Sequence, residues 1–72
     1  MSAEPVPIQS APIALGQFLK LANIAEDGVH AKELLTAAAV TVNDEPESRR
    51  GRQLFHGDVV VVEDETLLVE VE

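Results

Sequence analysis

The stretch VHAKELLTAAAVTVND, Val29 to Asp44, shows two periods, one after the other. Ala31, Leu34, Leu35 and Ala38 fall at i, i+3, i+4 and i+7, which puts them on one face of a helix. At Val40 the period changes. VTV alternates apolar and polar, and Asn43–Asp44 is a turn pair whose short side chains tolerate positive φ. A helix that runs straight into a strand and a tight turn predicts an α+β chain.

Upstream, Asp27 is placed to cap this helix, because its carboxylate can accept bonds from the open N–H groups of the first turn. LGQFLKLANI before it predicts another helix, with Leu15, Phe18, Leu19 and Ala22 on its buried face and Lys20 off it. Residues 1–12 carry Pro5, Pro7 and Pro12, too dense for a helix. They predict a flexible lead-in, with a short edge strand around Val6 to Gln9. Downstream, EPESRRGRQ is a polar loop. LFHGDVVVVE turns at Gly57–Asp58 into a β-branched run, EDET turns the chain, and LLVEVE alternates as a last strand. The expected architecture is two short helices packed on a small antiparallel sheet. Residues 13–72 form its single domain.

Composition narrows the function. With 72 residues the chain holds one domain at most, and its 46% of hydrophobic residues suffices for a folded core. Aromatics are 3%, so the core is aliphatic, with Phe18 and Phe55 as its expected rings. No cysteine is present, which removes disulfides and thiolate metal sites. No apolar run approaches the roughly 18 residues that span a bilayer. A cytoplasmic protein with no membrane contact is expected.

No hydroxyl has a neighbouring histidine or a glycine elbow, so no enzyme is expected, and no cofactor. His30 and His56 lack metal-ligand spacing. Glu63 to Glu65 lack the alternating ligands and glycine of a calcium loop, so no metal is expected either.

Charge raises the sharper question. The net charge is -8, which opposes general binding to anionic surfaces. Yet Arg49, Arg50 and Arg52 are three of only five cations, and they fall within four positions. Between Gly16 and His56 five cations nearly balance six anions, so the acidic excess lies at the ends. Arginine forks onto phosphate and stacks on bases. The plainer reading is a solvated loop whose arginines pair with Glu45 and Glu47, each exposed pair being worth about 0–1 kcal/mol. Lys32 sits on the flank of the second helix, where it can lay its stem on apolar surface and present its ammonium.

In order and spacing, residues 15 to 60 resemble the RNA-binding domain named after ribosomal protein S-four, the alpha-L motif, and its short stand-alone versions most closely. Leu15, Phe18 and Leu19 fit its opening. Asp27, Ala31, Lys32, Leu34 and Leu35 fit its second helix. Val40, Val42, Asn43 and Asp44 fit its strand and turn, and Gly57, Asp58 and Val59 open its later strand. The arginine tract fits the basic tract of the stand-alone members. Ala38 and Asp44 replace glycines of the pattern, and Thr36 and Thr41 stand where basic residues are common.

The resemblance implies an RNA surface made by the second helix and the loop after the turn, and a role in translation. Lys32, Arg49, Arg50 and Arg52 are its expected contacts, with Lys20 and His30 at its margin. Asn43, Gly57 and Asp58 shape the turns. The expected partner is structured RNA, ribosomal or transfer, bound by a monomer.

The alternative is a protein-interaction module that kept the fold and lost RNA binding, its C-terminal strand pairing with a partner's sheet edge. A contiguous positive face across Lys32 and the arginines favours the first reading. Arginines tied to Glu45 or Glu47 favour the second.

Overall fold

A computed structural model describes residues 3–72. Strands β1 (Glu4–Ile8) and β2 (Ile13–Ala14) lead into helices α1 (Leu15–Leu21) and α2 (Gly28–Thr36). Then follow β3 (Val40–Val42), β4 (Glu45–Pro46), β5 (Gln53–Leu54), β6 (Val59–Val62) and β7 (Glu65–Val71). The main sheet has the order β1-β7-β6-β3-β4, and β2 pairs with β5 in a separate two-stranded sheet. The fold is α+β, of the alpha-L kind expected.

The main sheet is mixed rather than wholly antiparallel, because β1 runs parallel to β7. The short edge strand expected around Val6 to Gln9 within the proline-bearing lead-in is β1, which starts two residues earlier, at Glu4. The prolines permit it through backbone parity. Ile8 presents its carbonyl to the Glu72 N–H, so even-numbered residues of β1 face β7. Pro5 and Pro7 face outward, where a missing N–H costs no ladder bond. Pro46 repeats the device on β4. Glu47 donates its N–H to the Val40 carbonyl, so Pro46 points away from β3. Both sheet edges thus carry proline where a docking strand would need a donor.

Beta7 is flanked by β1 and β6. Its two hydrogen-bonding edges are taken, which removes the expected pairing of the C-terminal strand with a partner's sheet.

Both helices are shorter than their apolar patterns, and both end in the same way. After α1, Asn23 takes φ 62 and donates to the Lys20 carbonyl, while Ile24 donates to that of Leu19. After α2, Ala38 takes φ 58 and donates to Leu35, while Ala39 donates to Leu34. These are paired Schellman bonds around a left-handed residue. At the start of α2 Asp27 accepts from the His30 N–H at 2.9 Å, the cap expected from sequence.

The core is one cluster between the helices and the inner sheet face. Leu15, Phe18, Leu19 and Leu35 meet Val40, Val42, Val60, Val62, Leu67 and Val69 there. Phe18 is fully buried, but Phe55 is 51% exposed and is not the second core ring. The alternation through β5 explains this: Leu54 takes the inward position beside Phe55.

Candidate nucleic-acid interface

The arginine loop, residues 47–52, is built around a carboxylate. Glu47 is the one charged side chain buried among the described residues, at 8% exposure. Five hydrogen bonds end on it. Arg49 donates from Nε and Nη2 at 3.0 and 3.2 Å, and Arg52 donates from Nη1 at 2.9 Å. The backbone N–H groups of Ser48 and Arg49 each donate at 3.1 Å. The two guanidinium groups, and then the Arg49 N–H, hold the Glu47 carboxyl well down, from the ordinary 4.5 to about 2. Glu47 in turn raises Arg49, chiefly through the same side-chain bonds.

The loop is also fastened to α1. Ala14, ahead of that helix, supplies no side-chain cap. Loop carbonyls do the work instead: Leu15 donates its N–H to Arg52 at 2.8 Å, and Gly16 donates to Arg50 at 3.0 Å. A Cβ on Gly16 would stand 3.4 Å from the Arg50 Cβ, an ordinary van der Waals contact, so the helix start and the loop pack closely here without requiring glycine. The pairing of β2 with β5 keeps the chain in register just beyond it.

The three arginines consequently differ. Arg49 and Arg52 are tied to Glu47, and neither pairs with Glu45. Arg49 remains 74% exposed while Arg52 is at 29%. Arg50 forms no ion pair among the described residues, and its side chain is exposed. It lines a shallow concavity of about 320 Å³ together with Gly16, Gln17, Lys20, Gly28, Ala31 and Gly51. Lys20 and Arg50 thus reach one hollow from two elements. Lys32 does not line it. Four residues after Gly28, it stands one turn further along the same flank of α2. The sequence criterion splits: two arginines are tied to an acid, Arg50 and Lys20 line one hollow, and Lys32 lies outside it.

The arrangement suits phosphate. Two arginines and one glutamate leave the bound cluster a net charge of +1, and Arg50, Lys20 and Lys32 add one each, while Glu26 and Asp27 before α2 and Glu33 on it offset three. Gln17 contributes an amide to the same hollow. Sequence reading missed it, although it is one turn before Lys20 on α1 and directly follows Gly16.

The histidines serve the backbone. His30 Nδ1 accepts from the Glu26 N–H at 3.1 Å, closing the turn before α2, and His56 Nδ1 accepts from the Val71 N–H at 2.9 Å. Asn43 and Asp58 form a clamp between turns. Asn43 donates to the Asp58 carboxylate at 3.2 Å and accepts from the Val59 N–H at 2.9 Å, while Asp58 accepts from the Phe55 N–H at 2.8 Å. Gly57 takes φ 92 beside it. Among the described residues no three His, Cys, Asp or Glu side chains are grouped to hold a metal, and no helix is long and apolar enough to cross a membrane.

Comparison with known proteins agrees with this frame. The model of the S4 domain matches residues 6–70. A Bacillus subtilis (strain 168) protein named "Probable ribosome maturation protein RlbA" is 52% identical over 61 residues, which cover 85% of this chain and 86% of the relative. The helix pair, the turn and all but the outermost residues of the sheet fall within the matched span, and by that match this chain belongs to the S4-domain family.

Proposed function

We propose that this chain is a small, non-catalytic RNA-binding protein of the cytoplasm that recognises structured RNA through a local Lys/Arg surface. Arg50, Lys20 and Lys32 are its direct phosphate contacts. Arg49 adds an exposed guanidinium edge, and Arg52 positions the loop. The carrying observation is the hollow that Arg50 and Lys20 share between α1, the start of α2 and the loop. Acidic surroundings suppress indiscriminate binding, so that recognition depends on an RNA shape that brings phosphates to this one place. His30, expected at the margin, contributes by shaping the start of α2. The relative's name points to the maturing ribosome, and we take structured ribosomal RNA as the substrate class.

The test is fluorescence anisotropy of a labelled ribosomal RNA stem-loop at several salt concentrations. Four cations engaged on phosphates give a log–log salt slope of roughly -3 to -4. A slope near zero, or no binding at low salt across several RNA shapes, would overturn the proposal and favour the protein-interaction reading. That alternative has one observation behind it, the retention of Arg49 and Arg52 by Glu47.

A further inference from the structure

We infer that the outer face of the main sheet docks a basic protein segment, one that carries aliphatic side chains among its lysines or arginines. The strand register defines this face. Leu68 lies between Pro5 and Val59 in one row across the sheet. Val61 lies between Thr66 and Thr41 in the next, with Pro46 beyond. The alternate residues, Val60, Val62, Leu67 and Val69, enter the core. Both helices share that core, so the outer rows have no layer over them. Val59, Val61 and Leu68 form a half-buried aliphatic stripe there.

Charge chooses the occupant. Of the strand acids Glu70, opposite Pro7, stands on the outer face, with Asp44, Glu63 and Asp64 at the hairpin tips, whereas Glu4, Glu45 and Glu65 fall in the core-facing rows; neither the five strands nor these tips hold a Lys or Arg. All five cations lie on α1, α2 and the loop. An acid-rimmed apolar stripe repels nucleic acid. Two copies meeting through this face would bring like charges together. An added strand finds proline on both edges. A basic segment laid across the face meets none of these obstacles, and its aliphatic groups cover the stripe while its cations meet the rim. One chain could then hold RNA on its helix side and a basic protein on its sheet side at once.

The probe is a synthetic amphipathic peptide with leucine on one face and lysine on the other. It is titrated into the isotope-labelled full chain and followed by amide NMR shifts. Shifts should centre on Val59, Val61, Thr66 and Leu68. Replacing leucine by serine in the peptide should weaken binding by about tenfold or more, since the buried aliphatic contact is lost. Leu68→Lys should do the same, and Arg50→Glu should leave binding unchanged. The peptide arm needs no altered protein, so a misfolded variant would not blunt the test. Equal binding by the serine peptide, shifts confined to the acidic tips, or shifts on the Lys20–Arg50 side would overturn the inference. So would concentration-dependent dimerisation that competes with the peptide.

Discussion

The helix side and the sheet side of this molecule carry opposite charge and hold it by opposite means. On the helix side a buried acid organises two of the cations: Glu47 gathers Arg49, Arg52 and two backbone N–H groups, while Arg50 in the same loop stays exposed. On the sheet side the acids form no ion pair among the described residues, and the backbone is closed by prolines. A net charge of -8 is therefore an average over two surfaces of different charge. The acidic total alone argues against RNA binding. Under the proposed function the distribution reverses that conclusion for one face and strengthens it for the other.

The most direct way to break the contrast is to reverse charge at the shared hollow. The double variant Arg50→Glu, Lys20→Glu should weaken stem-loop binding roughly hundredfold and flatten the salt slope by about 2. The pair of substitutions Glu63→Lys, Asp64→Lys, at the far hairpin tip, changes net charge by the same amount in the other direction. It should alter affinity far less. Comparable effects from both would mean that long-range charge decides, and the distinction between the faces would fail.

A smaller effect should distinguish charge from positioning within the loop. Glu47→Gln removes a negative charge from an RNA surface, so simple electrostatics forecasts tighter binding. Loss of the carboxylate also frees both guanidinium groups and the turn they hold. If positioning decides, affinity should fall by about tenfold, the scale of one lost charge-assisted bond. Tighter binding by Glu47→Gln would refute the positioning role.

The same residue gives a pH signature. Its folded-state pKa lies below its unfolded value, so its stabilisation is fully present above about 4.5 and is lost as pH falls towards about 2. Urea unfolding midpoints of the wild type and Glu47→Gln should converge across that interval. A constant gap would mean that the carboxylate's charge is not what stabilises the loop.

How much of this the chain announces depends on whether its causes are local. Alpha2, its Asp27 cap and the Val40–Asp44 turn are legible because each rests on neighbours within a few residues. Beta1 is harder to read. Its partner β7 lies some sixty residues away, and its prolines make sense only once their outward parity is known. At the site the pairing of the arginines with Glu47 is legible in sequence, but the burial of Glu47 is not. A glutamate in a polar loop reads as solvated, and only the folded turn shows both arginines closing over it. Arg50 was in view from the start, but nothing in ESRRGRQ distinguishes it from the two arginines beside it. That difference appears only in the fold, where its two neighbours close on Glu47 and Arg50 shares a hollow with Gln17 and Lys20 of α1.

The smallest predicted effect lies at the joint between the two sides. Alpha2 passes into β3 through Ala38, which also borders Pro46, Glu47 and Ser48 across a small surface hollow. Its φ of 58 matches that of Asn23 at the end of α1, and the capping bonds are the same. The residues differ in cost. Asparagine tolerates the left-handed region, whereas alanine sets its Cβ against the following carbonyl, a penalty of roughly 1–2 kcal/mol. Glycine removes that penalty and returns part of the gain through the greater entropy of the unfolded chain. Ala38→Gly should therefore raise stability by about 0.5–1 kcal/mol, or a few degrees in thermal midpoint. Asn23→Gly should change it by less. RNA affinity should stay the same in both, because neither position borders the Lys20–Arg50 hollow. A loss of affinity in Ala38→Gly without loss of stability would mean that the strained joint sets the position of the loop, and that the two sides communicate through it.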